Sequence, residues 1–231
     1  TMHSLVRKGQ SLIGVDRKWL EHRAQELASY RDNFLKPVPS SQVRLLIFGQ
    51  GRTGSTLLES LLASTGHFRK SGELLNVSKG EIVFPSAYTR GMSKRTSDEN
   101  FLFHLKIYHL TRDRTRPVDP TKFLNSLDKG GWKVVYLRRR NTVRHQLSNV
   151  VRENRGRAHK FDDEQERHRI LVDCESFVEK VFERVRFEQA ERIALKDIDF
   201  WEVVYEDDLE HASMHQGYID RILDFLSLER R

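Results

Sequence analysis

Hydrophobic and polar positions along the chain follow two periods, one typical of buried strands and one typical of amphipathic helices. Short apolar runs predict strands at 43–49, 101–108, 132–139 and 200–207. Helical spacing of apolar residues predicts helices at 17–35, 55–65, 119–130, 141–154, 163–196 and 217–228. Pro37 and Pro39 separate the first of these helices from the rest of the chain.

The alternation of strands and helices predicts the α/β class, with a central parallel sheet of about four to five strands flanked by helices. The run at 43–49 is apolar at nearly every position, which is typical of a strand covered on both faces. Residues 1–40 would form an N-terminal helical extension, and 41–231 one further domain. The stretch 152–169 has few apolar residues, and we expect an exposed loop there.

Composition narrows the class of protein. The chain has 231 residues, of which 38% are hydrophobic, so a self-supporting core is expected and wholesale disorder is excluded. The single cysteine, Cys174, excludes a disulfide framework and a cysteine-based zinc site. No apolar run approaches the ~20 residues that span a bilayer, and no signal peptide is visible. We therefore expect a cytoplasmic protein without a transmembrane segment, which leaves peripheral membrane contact open.

The formal net charge of +7 is concentrated in one stretch. Residues 129–160 contain ten Lys or Arg and a single acid, Glu153, so this stretch carries +9 and the remainder of the chain −2. Such an excess indicates an anionic partner, which the charge alone leaves open among nucleic acid, anionic lipid and a phosphate-bearing small molecule.

A glycine-rich turn follows the first predicted strand. Gly49 to Leu58 reads GQGRTGSTLL and leads directly into a predicted helix. Gly51 and Gly54 allow the backbone to approach an anion closely. Arg52 adds a cation, and Thr53, Ser55 and Thr56 add hydroxyl donors beside the positive end of the helix dipole. This strand–loop–helix context favours an anion cradle over an ordinary capped turn.

The loop has the glycine spacing of a Walker A motif but not its lysine. After Gly54, Walker A requires Lys followed by Ser or Thr, and this chain has Ser55 and Thr56. Because the lysine contacts the β- and γ-phosphates of the nucleotide, its absence disfavours ATP hydrolysis and kinase activity.

A second cluster begins in the predicted strand at 132–139. Arg140 and Asn141 follow the end of that strand, where ligands bind in open α/β folds. Ser148 lies two turns into the next helix, so a single phosphate could bridge Arg140 and Ser148.

Together the two motifs resemble those of the sulfotransferases that use PAPS (3′-phosphoadenosine 5′-phosphosulfate). Arg52-Thr53-Gly54-Ser55-Thr56 resembles the family's 5′-phosphosulfate loop, which would make the turn a P-loop-like phosphosulfate-binding loop. Arg140-Asn141 with Ser148 resembles its 3′-phosphate element. Ser71 to Leu75 (SGELL) resembles the catalytic-glutamate segment of carbohydrate sulfotransferases, and Phe200 to Leu209 the C-terminal part of bacterial glycolipid and nodulation-factor members.

The resemblance covers about residues 43–228 and implies that 41–231 is a sulfotransferase domain. Two features depart from the family. Thr142 replaces the usual proline after Arg-Asn, and many members continue beyond the last helix, so we expect the C-terminal end to be truncated relative to them.

The resemblance also implies a reaction and its residues. A sulfonate would pass from PAPS to an acceptor hydroxyl, leaving PAP, without a metal. Glu73 would be the general base, Arg52 would neutralise the 5′-phosphate oxygens, and Lys106 would contact the sulfonyl group. The cofactor-binding residues would be Arg52, Thr53, Gly54, Ser55, Thr56, Arg140 and Ser148. The acceptor would be a glycan or glycolipid.

Alternatives remain open from the sequence. Glu73 and Lys106 would also suit an ordinary helix start and a solvated strand end, and His104 and His109 are alternative bases. A small-molecule kinase or other P-loop enzyme is one competing function. A nucleic-acid-binding module using 129–160 is another, although only Trp132 and Tyr136 are available there for stacking.

Overall fold

The computed structural model describes residues 17–95, 99–154 and 170–230. The strands are β1 (Arg44–Phe48), β2 (Phe68–Lys70), β3 (Asn100–Leu105), β4 (Lys133–Arg138) and β5 (Phe200–Val204). The α-helices are α1 (Arg17–Leu35), α2 (Ser55–Ser64), α3 (Pro85–Arg95), α4 (Pro120–Asp128), α5 (Thr142–Asn154), α6 (Cys174–Leu195), α7 (Tyr205–Asp208) and α8 (His215–Phe225). Short 3-10 turns cover Val77–Lys79, Ile107–His109 and Ala212–Met214.

All five strands are parallel, in the order β2-β3-β1-β4-β5. The predicted α/β class with a central parallel sheet flanked by helices is therefore confirmed. Strand β1 lies between β3 and β4 in the sheet. Strands β2 and β3 are on one side of β1, and β4 and β5 are on the other, so the chain reverses its direction of winding at β1. Loops that leave β1 and its neighbours meet at this point of the carboxyl edge, which is where open α/β sheets bind ligands.

The central strand β1 is buried on both faces. All five of its residues are buried, and successive side chains point to opposite sides of the sheet. Leu46 and Phe48 pack in the core beneath α4 and α6, whereas Leu45 and Ile47 pack beneath α2 and α8. The continuous apolar run in the sequence thus reflects helices on both sides of the sheet.

The sequence pattern does not predict β2 or α3. The edge strand β2 has three residues, and only Phe68 among them is buried. Helix α3 packs against α1 through small residues rather than an apolar stripe. A Cβ atom at Gly91 would lie 1.8 Å from the carbonyl oxygen of Ser29, so glycine is what allows the two helices to touch. Hydrophobic periodicity cannot find a helix of this kind.

Several predicted elements differ at their ends. The strand predicted at 101–108 ends at Leu105, and the one predicted at 200–207 ends at Val204, where α7 begins. Helix α5 continues to Asn154, so residues 152–154 of the expected loop are helical. The residues 155–169 of that loop, with the first part of the helix predicted at 163–196, lie outside the described residues. Among the described helices, none has the length and apolar character needed to cross a bilayer.

A buried carboxyl group lies behind the sheet on α6. Glu191 is 1% exposed, and it accepts a hydrogen bond from Tyr136 Oη at 3.1 Å. Burial raises the pKa of Glu191 to about 8, from a usual value of 4.5. Since the folded pKa is the higher one, the free energy of unfolding falls as pH rises through the window between these two values.

We therefore predict that Glu191→Gln gains stability relative to the native chain as pH rises from about 5 to about 8, by up to ~1.4 kcal/mol per pH unit. Urea unfolding at several pH values measures this difference. Glu179→Gln, at an exposed position of α6, is the control and should show no such trend. A stability difference for Glu191→Gln that stays constant across this range would contradict the assignment.

Candidate active site at the carboxyl edge of the sheet

The loop Gly49–Thr56 leaves the carboxyl end of β1 and is held close to β4. A Cβ atom at Gly49 would lie 2.1 Å from the carbonyl oxygen of Leu137, so only glycine fits there. Thr53 is buried, and its Oγ1 donates to the carbonyl oxygen of Gln50 at 2.7 Å. This hydrogen bond closes the loop on itself before the chain enters α2.

The end of the loop presents backbone donors at the start of α2. Arg52 (φ +72°) and Gly54 (φ +104°) both adopt left-handed backbone conformations, which turn the chain sharply. No side chain caps α2 at Gly54, so the N–H groups of its first turn, which includes Ser55 and Thr56, lack an intrahelical partner. With the helix dipole, these groups favour an anion.

Two side chains from the segment after β3 lie against the loop. The N–H of Gly51 donates to Tyr108 Oη at 3.1 Å. A Cβ atom at Gly51 would come within 2.6 Å of that oxygen and 3.3 Å of Lys106 Cε. Glycine at this position therefore allows Lys106 to approach the loop that the sequence identified as an anion cradle.

Glu73 lies among basic and polar side chains. It forms an ion pair with Lys106 Nζ, and Asn76 Nδ2 donates to its Oε2 at 2.6 Å. His109 Nε2 lies 3.6 Å from Oε2, and His104 Nδ1 lies 3.8 Å from Oε1. Burial alone would raise the pKa of Glu73, but Lys106, Asn76 and His109 lower it below its usual value. Glu73 is therefore an ionised carboxylate at neutral pH.

His104 connects Glu73 to a second buried carboxylate. Glu59 on α2 is 4% exposed, lies 3.5 Å from His104 Nε2 and accepts the N–H of Gly72 at 2.8 Å. Burial would raise the pKa of Glu59, but His104 and the Gly72 N–H lower it. Glu59 thus fixes the backbone turn that carries Glu73. Burial lowers the pKa of His109 to about 4, so its imidazole is neutral near pH 7.

Four guanidinium groups surround the loop without a carboxylate within 4 Å among the residues described: Arg52, Arg139, Arg152 and Arg184. Arg52 Nε donates to Ser148 Oγ at 3.3 Å, which brings the two predicted phosphate-binding elements together. Burial lowers the pKa of Arg52, and repulsion from Arg152 and Arg139 lowers it further. An anion bound here would relieve this repulsion.

Arg140 pairs with acidic residues and does not share a hydrogen bond with Ser148. Its guanidinium forms an ion pair with Asp207, and its backbone N–H donates to Glu206 Oε2 at 2.9 Å. Arg140 and Ser148 share no hydrogen bond, although both are described, and Ser148 instead contacts Arg52. The assignment of Arg140 to a 3′-phosphate remains a prediction from the sequence.

The sequence did not identify Arg184, which reaches the loop from α6. Its Nε donates to Gln146 Oε1 at 2.7 Å, and its Nη1 lies 3.3 Å from Gln50 Oε1 and 3.4 Å from the carbonyl oxygen of Gly51. Nη1 also lies 2.9 Å from Nε2 of His145. Because α6 carries many charged residues, nothing in the sequence distinguishes Arg184 from its neighbours.

His145 contacts the loop directly, which its sequence context did not indicate. It is 3% exposed, and its Nε2 lies 2.7 Å from the carbonyl oxygen of Gly51. Burial, with repulsion from Arg184, lowers the pKa of His145 to about 3. A neutral imidazole therefore supports the loop from α5.

A polar cleft of about 410 Å³ opens beside the loop, between α5, α6 and the segment after β3. Polar and charged side chains dominate it, and Tyr108 and Phe187 are its aromatic members. Its lining is Gln50, Asn76, Lys106, Tyr108, His109, Arg112, Asp113, Gln146, Asn149, Arg152, Glu153, Lys180, Glu183, Arg184 and Phe187. The cleft contains Lys106, so it reaches the ion pair with Glu73.

Comparison with known proteins gives similarity in fold alone. No protein-family model matches the sequence, and no curated protein matches it. The mouse sulfotransferase SULT7A1 complexed with PAP has a TM-score of 0.51 at 11% identity, over 91% of this chain and 67% of that one. A shikimate kinase from Bacteroides thetaiotaomicron has a TM-score of 0.48 at 13% identity, over 80% of this chain and 99% of that one.

A retinol dehydratase in a complex with retinol and PAP has a TM-score of 0.38 at 14% identity, over 90% of this chain and 65% of that one. Of the three, the SULT7A1 structure supports a shared fold, and the scores of the other two are too low to add to it.

Proposed function

We propose that the protein is a PAPS-dependent sulfotransferase that moves a sulfonate group from PAPS to an acceptor hydroxyl. The observation that carries the proposal is the ion pair of Glu73 with Lys106 directly beside an anion-binding loop. The fold shared with the PAP complex of SULT7A1 supports the same class of enzyme. The sequence motifs supply the remaining support, because they follow the family's order along the chain.

The donor would bind along the loop and α2. Thr53 Oγ1 already donates to the Gln50 carbonyl oxygen. Thr53 would therefore offer its backbone N–H to the 5′-phosphosulfate, together with those of Gly54, Ser55 and Thr56. Arg52 would neutralise the phosphate oxygens. Its contact with Ser148 supports a site where 5′- and 3′-phosphates are bound near each other.

The chemistry is an in-line displacement. Glu73 would accept the proton of the acceptor hydroxyl, whose oxygen forms the new bond to sulfur. The bond between sulfur and the bridging oxygen of the 5′-phosphate breaks, and PAP departs with that electron pair. Lys106 and Arg52 would stabilise the negative charge that develops on the sulfonyl and the leaving phosphate. Each step uses a side chain of this protein, and none requires a metal.

The cleft favours a hydroxyl-rich acceptor. Its charged and amide side chains suit the hydrogen bonds of a carbohydrate. A glycan or the head group of a glycolipid therefore agrees better with this lining than an apolar acceptor does.

Binding of PAP distinguishes a sulfotransferase from a kinase and from a nucleic-acid-binding protein. We expect PAP to raise the melting temperature of the protein and ATP to have a much smaller effect. Transfer of ³⁵S from labelled PAPS to a panel of sugars and glycolipids should then yield a labelled acceptor. Stabilisation by ATP rather than PAP, or salt-dependent binding of RNA or DNA without PAP affinity, would overturn the proposal.

We expect Arg140→Ala to lower the affinity for PAPS by about 10- to 100-fold, because charge-assisted hydrogen bonds contribute ~1.5–3 kcal/mol. The affinity for adenosine 5′-phosphosulfate, which has no 3′-phosphate, should change little. Competitive binding of the two nucleotides measures this difference. Arg144→Ala is the control, since this neighbouring arginine pairs with Glu210 at the surface. Equal losses for both nucleotides would contradict a 3′-phosphate role for Arg140.

A further inference from the structure

We propose that the acceptor carries an oxyanion of its own, a phosphate, sulfate or carboxylate, and that Arg184 and Arg152 bind it in the polar cleft. This inference rests on the proposed function and adds the chemical class of the acceptor. It concerns a second anion subsite, beside the loop that would bind the donor.

Arg184 is a partly buried cation whose hydrogen-bond partners are all neutral. It donates to Gln146 Oε1 and lies close to Gln50 Oε1 and the Gly51 carbonyl oxygen. No described carboxylate lies within ion-pair distance of it. Other cations of the same cleft are paired, since Arg112 meets Glu183 at 2.6 Å and Lys180 meets Glu153 at 3.8 Å. Within the part of the chain that the structure describes, the cation without a carboxylate partner is thus specific to one part of the cleft.

Removing a cation from water without a counter-charge is costly, and the proximity of further cations adds to this cost. Burial lowers the pKa of Arg184, and repulsion from Arg139 and Arg152 lowers it further, against the opposing effects of Tyr108 and Glu183. Arg152 lines the same cleft from α5 and also lacks a carboxylate partner among the described residues. A ligand oxyanion between Arg184 and Arg152 would supply the missing negative charge.

The cleft adjoins the donor loop at Gln50, and Arg184 also lines a small pocket with Thr53 of that loop. The lining of the cleft includes Lys106 and Arg184 but none of the residues 52–56. Lys106 lies next to Tyr108 at the position that a Cβ atom of Gly51 would occupy, whereas Arg184 lies near the carbonyl oxygen of the same residue. An acceptor whose hydroxyl reaches Glu73 would therefore extend past Gly51 towards Arg184.

The test uses the full chain saturated with PAP, so that the donor loop is occupied. Sulfate, inorganic phosphate and acetate are titrated separately by calorimetry, with ionic strength held constant by sodium chloride. We expect at least one of the three to bind the PAP-loaded protein, and the tightest identifies the acceptor's anionic group. In Arg184→Gln, this affinity should fall by about tenfold or more, a larger loss than the loss of PAP affinity in the same variant.

Arg192→Gln is the matched control on the same helix. Arg192 lies outside the cleft and pairs with Glu188 and Glu202 at 3.3 and 3.4 Å, so its replacement should leave anion binding to the PAP-loaded protein unchanged. A loss of anion affinity equal to that of Arg184→Gln would show a general effect of surface charge and overturn the inference.

Two further outcomes separate the inference from the proposed function. If the native chain does not bind PAP, the proposed function fails and this inference fails with it. If PAP binds but none of the three anions binds the loaded protein, only the inference is overturned. The same holds if Arg184→Gln weakens PAP as strongly as the anion, because Arg184 would then belong to the donor site.

Discussion

Replacing Glu73 with glutamine should lower the rate of sulfonate transfer by about 10²- to 10⁴-fold, which is the usual contribution of a general base. PAP affinity should remain within about threefold of the native value, because Glu73 contacts Lys106, Asn76 and the two histidines rather than the loop. Single-turnover transfer from labelled PAPS measures the rate, and thermal stabilisation by PAP measures binding. Glu179→Gln, at an exposed position of α6, provides the control for charge.

The pH profile adds an independent check on Glu73. A base must be deprotonated to act, and Lys106, Asn76 and His109 together hold the pKa of Glu73 below its usual value of 4.5 despite burial. The rate should therefore not fall because of Glu73 as pH decreases from about 8 to about 5.5. If Glu73→Gln retains transfer activity and His109→Asn abolishes it, His109 is the base instead.

Replacing Arg52 with glutamine should lower the affinity for PAP by about 100-fold, or ~2.7 kcal/mol, because a charge-assisted contact with phosphate is lost. The apo protein should be at least as stable as the native chain. The reason is that Arg52 is repelled by Arg152 and Arg139. Glutamine, like arginine, is an L residue with an unbranched Cβ, so the strain of the left-handed backbone at this position stays the same.

Melting temperatures with and without PAP separate these two effects of Arg52→Gln. The apo value should stay constant or rise, while the increase caused by PAP should largely disappear. Arg144→Gln, which removes an arginine paired with Glu210, should preserve the increase caused by PAP. A lower apo melting temperature together with unchanged PAP affinity would mean that Arg52 supports the fold of the loop rather than the ligand.

The sequence was most informative where a function depends on neighbours along the chain. The buried run of β1, the loop after it and the start of α2 form one continuous segment, so apolar periodicity and glycine spacing were sufficient to predict them. Arg52, Gly54, Ser55 and Thr56 lie where the pattern placed them. By contrast, β2 and α3 escaped prediction because one is an edge strand of three residues and the other packs through Gly91 rather than an apolar stripe.

Contacts between distant segments depended on the tertiary structure. Glu73 and Lys106 meet because the turn after β2 and the end of β3 reach the same edge of a parallel sheet. The packing of α6 on α5 brings Arg184 to the carbonyl of Gly51, 133 positions away in the chain. Arg140 likewise forms an ion pair with Asp207 of α7, 67 positions away in the chain. Its availability to a ligand phosphate depends on this tertiary contact.

The sequence by itself determined the parallel α/β framework and the glycine-rich loop between β1 and α2, because backbone periodicity and local glycine geometry act over only a few residues. The tertiary structure alone decided which guanidinium groups around that loop lack a carboxylate partner within residues 17–95, 99–154 and 170–230. Whether a guanidinium has a counter-charge depends on the three-dimensional packing of helices that are far apart in the sequence, and no local pattern records it.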